Sequence, residues 1–246
     1  MIYFVGAGPG DPEYITLKGY RLIQQADLVV YAGSLVNREI LSFAKESARL
    51  VDSAPLHLQE IVDCMIEAYN RGEKVVRLHT GDPSLFGAIG EQIDLLKEAG
   101  IAFQVIPGVS SFLAAAAALQ REYTVPDGTQ TVIITRLEGR TPVPEREALS
   151  KLASHQSSMA IFLSVGMIEQ VVEQLRVSYD IQTPVAVVEK ASWQEERIVR
   201  GTLADIAEKT KQVGIKKTAL ILVGEFLQST GASKLYDKDF VHEYRR

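Results

Sequence analysis

The stretch from Val75 to Gly87 constrains the fold more than any other part of the sequence. It begins as a short apolar run, typical of a buried parallel strand, and breaks at Gly81-Asp82-Pro83. Gly81 can adopt a positive φ, whereas Pro83 fixes φ and has no N–H for a sheet. A helix is predicted from about Leu85 to Lys97. This order of strand, turn and helix places the turn at the carboxyl edge of a parallel sheet, where open α/β sheets bind ligands.

Apolar strands and amphipathic helices alternate through the first half of the chain, which favours a mostly parallel sheet. A polar stretch with Pro and Gly, residues 121–128, is predicted to be a linker. A second α/β unit begins at Thr129, with strands near 131–135, 159–163, 184–188, 198–200 and 219–223 and helices near 144–153, 167–176 and 203–210. We therefore predict two α/β domains, 1–120 and 129–246, each with a central sheet flanked by helices.

The first predicted strand, Ile2–Val5, runs into Gly6-Ala7-Gly8-Pro9-Gly10-Asp11-Pro12. This loop is similar to a dinucleotide-binding fingerprint, but G-x-G-x-x-G requires glycine at the position of Asp11. The second strand, Leu28–Tyr31, also ends without the acidic residue that would bind a ribose hydroxyl. The loop is therefore interpreted as a ligand-facing turn, with a simple tight connection between strand and helix as the alternative.

Composition excludes several classes of protein. The 246 residues are 46% hydrophobic and carry a net charge of −5, which does not favour nucleic acid as the main partner. One cysteine, Cys64, excludes an intrachain disulfide, and the four histidines show no metal-binding spacing. No signal peptide is predicted, and the longest apolar stretch, 112–119, is too short to span a bilayer. A cytoplasmic location without metal or membrane is expected.

Taken together, three loops identify a family. Gly6 to Pro12, then Gly81-Asp82-Pro83 with Phe86-Gly87, then Pro107-Gly108-Val109-Ser110-Ser111 resemble, in that order, the motifs of the tetrapyrrole methylases. Within that family, the segments 31–36, 79–83 and 131–144 are similar to the branch that methylates C-11 of precorrin-4 or cobalt-precorrin-4 during vitamin B12 synthesis. The family often has Ala or Met next to the Gly-Asp-Pro turn, where this chain has Ser84-Leu85.

The resemblance implies two α/β domains with S-adenosylmethionine bound in the cleft between them, and a homodimer. It also implies methyl transfer from a sulfonium to a nucleophilic ring carbon, a reaction that needs neither a catalytic triad nor a metal and depends on alignment of the reactants. The cofactor-binding residues implied by the family are Leu78, Gly81, Asp82, Phe86, Ser110, Ser111, Leu163, Met167, Val188 and Ala219. Pattern alone would interpret Leu163, Met167 and Val188 as core residues, and Asp82 as a turn cap.

The anionic tetrapyrrole expected as substrate requires basic groups, because arginine pairs with carboxylates in a bidentate geometry. Arg77 is one candidate. The predicted substrate-binding residues are Ser34, His57, Arg136, Glu138, Arg140 and Lys190. The residues predicted to handle protons or contact the ring are His79, Asp11 and Tyr31. Among the histidines His79 is favoured, because imidazole titrates near neutral pH and this residue lies beside the Gly-Asp-Pro turn. A buried structural histidine is the alternative for that position.

Two other functions remain open from the sequence. Another tetrapyrrole methylase, such as a uroporphyrinogen-III C-methyltransferase, shares the loops, but usually lacks the segment 136–142 at the entry of the second domain. A dinucleotide-dependent oxidoreductase would explain the first glycine-rich loop, but it lacks the third glycine and the ribose-binding acid. A non-catalytic binding module is disfavoured by the number of Gly- and Pro-rich turns at one sheet edge.

Overall fold

A computed structural model describes residues 1–33, 35–126, 128–228 and 233. It contains ten strands and seven α-helices in those residues. The strands are β1 Ile2–Gly6, β2 Leu28–Tyr31, β3 Arg49–Asp52, β4 Val75–His79, β5 Phe103–Ile106, β6 Val132–Arg136, β7 Ser158–Phe162, β8 Pro184–Glu189, β9 Arg197–Thr202 and β10 Ala219–Val223. The helices are α1 Leu17–Gln25, α2 Leu58–Asn70, α3 Ile89–Glu98, α4 Ser111–Leu119, α5 Leu149–Leu152, α6 Ile168–Leu175 and α7 Ile206–Val213.

The chain divides into two compact units. The first comprises Met1–Ala114 together with Ser192–Gln194, and the second comprises Ala115–Ala191 and Glu195–Arg246. The first unit therefore includes three residues from the connection between β8 and β9. The division of the sequence at a linker over 121–128 stays a prediction.

The sheet of the first unit is entirely parallel, in the order β3-β2-β4-β1-β5. Its helices cover both faces. Leu22 and Ile23 of α1 pack on one face with Val5, whereas Met65 of α2 and Leu96 of α3 pack on the other. Both faces are covered because the central strands β1 and β4 are apolar throughout, apart from the buried Arg77 and His79.

The connection that follows β1 runs to α1, and the one that follows β4 runs to α3, on the opposite face of the sheet. β1 and β4 are neighbours in the sheet. Because the helices that follow them lie on opposite faces, the two loops leave the carboxyl edge towards opposite faces. This is a topological switch point, the place where open parallel sheets open a crevice for ligands. The sequence-based prediction of a mostly parallel sheet in the first half is confirmed.

The sheet of the second unit has the order β6-β7-β10-β8-β9 and is mixed. Only β6 and β7 run parallel; β10 is antiparallel to both β7 and β8, and β9 is antiparallel to β8. The strands predicted near 184–188 and 198–200 are β8 and β9, which pair with each other. A core of aliphatic side chains that includes Ile161, Val187 and Ile221 lies between this sheet and its helices.

Three predicted helices differ from the structure. The helix predicted from about Leu85 begins only at Ile89, because Phe86 and Ala88 have positive φ angles of 55° and 48° that a right-handed helix does not accept. The segment 144–153 contains a short 3-10 turn and the four-residue α5 instead of one helix. The helix predicted for 203–210 is α7, which begins at Ile206.

Candidate functional site at the carboxyl edge of the parallel sheet

Three glycine-containing loops meet backbone to backbone at this edge. A Cβ on Gly108 would lie 2.2 Å from the carbonyl oxygen of Gly81 and 2.8 Å from Cα of Gly6, and one on Gly6 would lie 2.6 Å from Cα of Gly108. Gly8 and Gly81 form a two-residue antiparallel bridge, in which the N–H of Gly81 donates to the carbonyl of Gly8 at 2.8 Å. Gly81 has φ +60°, as its sequence context predicted. The loops after β1, β4 and β5 therefore form one unit.

Asp82 braces this unit through both of its carboxylate oxygens. Oδ1 accepts hydrogen bonds from the backbone N–H (2.8 Å) and the hydroxyl (2.5 Å) of Ser84, and Oδ2 accepts one from the N–H of Gly108 at 2.8 Å. Partial burial raises the pKa of the Asp82 carboxyl, but these three hydrogen bonds outweigh it, so that the pKa lies below its ordinary value. Asp82 thus caps its own turn and ties that turn to the loop after β5.

We expect Asp82→Asn to lower the free energy of unfolding by about 1–3 kcal/mol at neutral pH. The reason is that the NH2 group of asparagine would replace one of the two carboxylate oxygens that accept hydrogen bonds from Ser84 and Gly108. The difference from the wild type should shrink as the pH falls through the folded-state pKa, which lies below 3.8, since the wild-type carboxylate is then protonated. Urea denaturation at several pH values measures both. The matched control is Asp94→Asn, whose exposed ion pair with Lys97 contributes little. Equal losses in the two variants would contradict the bracing role.

The outer part of the first glycine-rich loop, Pro9–Asp11, is held by side chains. The indole N–H of Trp193 donates to the carbonyl of Pro9 at 2.9 Å, and the Asn37 amide donates to the carbonyl of Gly10 at 2.9 Å. The N–H of Asp11 donates to the hydroxyl of Ser192 at 3.0 Å. The Asp11 carboxylate accepts from the N–H of Glu13 and caps the short 3-10 turn that follows. These contacts order the loop.

His79, at the end of β4, is 5% exposed and packs beside Phe4, with ring centroids 5.9 Å apart. Burial, with a smaller contribution from the Arg77 charge, lowers the His79 pKa to about 3, so the ring is neutral at physiological pH. Its Nε2 is buried and has no hydrogen-bond partner among the described residues. Arg77 itself lies inside the unit and donates to Gln92, Ser53 and the carbonyl of Val30. It does not present its charge to solvent because β4 is covered on both faces.

The other proton-handling candidate, Tyr31, ends β2 and is buried in the cluster on the α1 face of the sheet. His79 belongs to the opposite face, the one that carries Phe4 and α3. Tyr31 and His79 therefore lie at the same edge of the sheet. Because side chains alternate between the two faces of a sheet along each strand, these two side chains lie on opposite faces. Ser34 lies outside the described residues. His57 is exposed and forms a capping box with Glu60 at the start of α2.

Two exposed apolar side chains, one before α3 and one directly after β7, have left-handed backbone conformations. Phe86 is 46% exposed with φ 55°, and Leu163, directly after β7, is 68% exposed with φ 54°. The interpretation of Leu163 as a core residue from its pattern is wrong, because the chain turns at the strand end and directs it outward. Met167 and Val188 do lie in or beside the core of the second unit. Ala219 begins β10 opposite Glu189.

The basic candidates of the second unit occupy different situations. The Arg136 guanidinium donates to the carbonyls of Leu137, Thr141 and Pro142, and so folds the loop that follows β6. Glu138 and Arg140 are exposed in that loop. Lys190 follows β8 with φ 49° and lies 3.7 Å from the Glu195 carboxylate. Ser110 is buried, and Ser111 is partly buried at the start of α4.

Comparison with known protein families identifies the family to which the chain belongs. Residues 1–207 match the family model of the Tetrapyrrole (Corrin/Porphyrin) Methylases. The chain belongs to this family. As a tetrapyrrole methylase it is a methyltransferase, and its two α/β units have the fold of that family.

The tetrapyrrole methylase has similar relatives along its entire length. It is 60% identical to a cobalt-precorrin-4 C(11)-methyltransferase of Methanocaldococcus jannaschii, with 100% of this chain and 96% of the relative covered. A solved structure of a cobalt-precorrin-4 methyltransferase of cobalamin biosynthesis has a TM-score of 0.91 and 48% identity, covering 93% of this chain and 96% of that chain. A uroporphyrin-III C-methyltransferase from Thermus thermophilus, solved with S-adenosylhomocysteine, has a TM-score of 0.76 and 31% identity, covering 92% and 93%.

Sequence reasoning missed several residues that shape the site of this methylase. Trp193, Ser192 and Asn37 fix the first loop, and Asp52 accepts a hydrogen bond from the N–H of Gly33 after β2. The signal for Trp193 was that it is the only tryptophan in the chain, within a loop between two strands. Its partner, Pro9, stands 184 positions away, so that no local pattern connects the two.

Two further findings concern the described parts of the chain. No helix there is long and apolar enough to cross a membrane. No cluster of three or more His, Cys, Asp or Glu side chains there is arranged to hold a metal ion.

Proposed function

We propose that this tetrapyrrole methylase transfers the methyl group of S-adenosylmethionine to C-11 of precorrin-4 in its cobalt-containing form, a step in cobalamin biosynthesis. The observation that carries the proposal is the 60% identity, over the whole chain, to a cobalt-precorrin-4 C(11)-methyltransferase. The cobalt ion belongs to the substrate ring, so it leaves no ligand signature in the protein. Methylation of uroporphyrinogen III is the second candidate, since a relative with that specificity shares 31% identity.

The residues at the carboxyl edge of the first sheet fit S-adenosylmethionine. The main chains of Gly6, Gly81 and Gly108 pack directly against one another, so the three loops meet at this edge with no side chain between them. Phe86, in the connection between β4 and α3, is exposed and carries an aromatic ring of the kind that packs on adenine. When bound, S-adenosylmethionine supplies an electrophilic methyl group.

We assign the cofactor-binding roles accordingly. In the first unit, the turn formed by Gly81 and Asp82 and the start of α4 at Ser110 and Ser111 would hold the cofactor by backbone polar groups, with Leu78 and Phe86 as apolar contacts. In the second unit, family membership supports Leu163, Met167, Val188 and Ala219. Asp82 acts mainly by shaping the loops, because Ser84 and Gly108 already use both of its oxygens.

Catalysis depends on orientation and exclusion of water, since holding two reactants in attack geometry can contribute on the order of 7 kcal/mol or more. His79 is neutral at the working pH, and a group with a pKa of about 3 is a poor proton donor or acceptor at neutral pH. We therefore assign no proton transfer to His79, whose ring serves as a neutral polar group. Asp11 and Tyr31 stay the groups proposed to contact the ring or handle a proton. The carboxylates of the substrate would pair with basic side chains, of which the first candidates are Arg140, which is exposed, and Lys190.

The test is a methyl-transfer assay with the purified protein, cobalt-precorrin-4 and S-adenosylmethionine labelled with 13C in the methyl group. We expect one labelled methyl group per tetrapyrrole, located at C-11 by 13C NMR. Uroporphyrinogen III is run in parallel. Methylation of uroporphyrinogen III alone would replace the proposed substrate, and absence of transfer to either would overturn the proposal.

A calorimetric titration tests the cofactor separately. S-adenosylhomocysteine should bind at about one molecule per chain, while NAD, as the ligand of the alternative dinucleotide function, should not bind. The homodimer and the cytoplasmic location expected from the family resemblance stay predictions.

A further inference from the structure

The turn Pro9–Asp11 takes its conformation from side chains distant in the sequence. Three successive backbone groups, the carbonyls of Pro9 and Gly10 and the N–H of Asp11, each bond to a different side chain: Trp193, Asn37 and Ser192. Two of these three side chains belong to the connection between β8 and β9. That connection therefore contacts the turn directly, although it follows the turn by more than 180 residues.

The contact with Trp193 is close enough to dictate the residue opposite. A Cβ placed on Gly10 would lie 2.0 Å from Cδ1 and 2.2 Å from Nε1 of the Trp193 indole. The indole thus lies directly against the Cα of Gly10, and only glycine leaves room for it. The contact of the Trp193 indole with Gly10 and its hydrogen bond to the Pro9 carbonyl together fix the position of the Pro9–Gly10 peptide.

The connection between β8 and β9 differs from an ordinary hairpin loop in its length and in its backbone conformation. Because Glu189 pairs with Arg197 in the β8–β9 register, the connection spans residues 190–196, longer than the two to five residues that join most hairpin strands. Lys190 and Ser192 have φ angles of 49° and 70°, a region that non-glycine residues seldom occupy and that the surrounding structure must stabilise. An ion pair between Arg197 and Glu189 at 2.6 Å closes its base. These features give the connection a defined backbone conformation.

The bonding partners of the turn indicate which ligand it serves. Gly8, directly before the turn, bonds to Gly81, one of the residues of the first unit proposed for the cofactor. The turn Pro9–Asp11 is instead bonded through Asn37 to the connection after β2, which begins beyond Tyr31. Asp11 and Tyr31 are the residues proposed to contact the tetrapyrrole ring.

We propose that Trp193 is a positioning residue for the tetrapyrrole: through its hydrogen bond to Pro9 and its contact with Gly10, aided by Ser192, it holds the Pro9–Asp11 turn in the conformation that binds this substrate. The inference rests on the proposed function. Trp193 acts through the turn, by way of the backbone that it holds in place.

The experiment compares Trp193→Phe and Ser192→Ala with the wild type in the methyl-transfer assay, with cobalt-precorrin-4 and S-adenosylmethionine varied in turn. Trp193→Phe keeps an aromatic ring and removes the N–H donor. We expect the KM for cobalt-precorrin-4 to rise about tenfold in Trp193→Phe and less in Ser192→Ala, which is the scale of one lost hydrogen bond. The kcat and the KM for S-adenosylmethionine should stay within about twofold of the wild type.

The matched control is Tyr179→Phe, which also removes a hydrogen bond from an aromatic side chain to a backbone carbonyl, that of Ser157, at 2.5 Å in the second unit. Tyr179→Phe should lower the Tm as Trp193→Phe does and leave the KM for cobalt-precorrin-4 unchanged. An unchanged KM in Trp193→Phe, or an equal rise in both variants, would overturn the positioning role. Wild-type protein without methyl transfer would instead overturn the proposed function, and this role with it.

Discussion

In Gly108→Ala, we expect the free energy of unfolding to fall by at least about 3 kcal/mol, and binding of S-adenosylhomocysteine to be lost. The added Cβ would lie 2.2 Å from the carbonyl oxygen of Gly81, and 2.8 Å from the Cα of Gly6. Both neighbours are main-chain atoms of loops that the Gly8–Gly81 bridge holds in place, so neither can move away as a flexible side chain would. The substitution therefore separates the three loops that we propose to surround the cofactor.

Urea denaturation and calorimetric titration with S-adenosylhomocysteine measure the two effects of Gly108→Ala. Gly90→Ala is the matched control, because a Cβ there has no heavy atom within 4 Å and the residue lies in α3, where alanine is the better helix former. We expect Gly90→Ala to bind the ligand like the wild type and to be at least as stable. If Gly108→Ala bound S-adenosylhomocysteine within about threefold of the wild type, the proposed cofactor site would be wrong.

The second large effect is a dependence of stability on pH that comes from His79. Its folded-state pKa of about 3 lies below the ordinary value of 6.5, so the unfolded chain binds a proton in this range and the folded chain does not. The stabilisation is therefore fully present above pH 6.5 and is lost as the pH falls towards 3, at up to about 1.4 kcal/mol per pH unit. Above pH 6.5 the ring is neutral in both states, and His79 adds no slope.

The free energy of unfolding of the wild type and of His79→Asn, measured by urea denaturation from pH 7.5 to 4.5, isolates this contribution. The variant starts from a lower stability, but its curve should lack the slope that His79 adds, so the two curves converge as the pH falls. His155→Asn, which alters an exposed histidine, serves as control and should follow the wild type. Parallel curves for the wild type and His79→Asn would show that the His79 pKa is the same in the folded and unfolded chains, and would restore it as a candidate proton donor near neutral pH.

The sequence allowed much of the site to be predicted, for a physical reason that particular loops illustrate. Gly81-Asp82-Pro83 and Pro107-Gly108 each interrupt an apolar run, and such breaks are local: they follow from the φ angles of glycine and proline. Parallel strands then bring these breaks to one edge whatever the order of the strands. The switch point between β1 and β4 therefore carries the loops that the sequence had already marked.

Side-chain roles were less predictable, because they depend on which face or which neighbour a residue meets. Arg77 and His79 are polar residues in a strand, and the sequence could not show that α2 and α3 cover them. Arg136 was expected to meet substrate, whereas its guanidinium donates to three carbonyls of its own loop. Leu163 was interpreted as core from its pattern and is exposed.

The sequence by itself determined the two α/β units, the parallel sheet of the first unit and the family, since these depend on hydrophobic periodicity and on short motifs that lie within a few residues of one another. Only the tertiary structure decided that Gly6, Gly81 and Gly108 touch through their main chains, that His79 is buried and neutral, and that Trp193 holds the Pro9–Asp11 turn. These contacts join residues far apart in the chain. They arise when packing brings surfaces together, and no periodicity of a single segment records which distant segment it will meet.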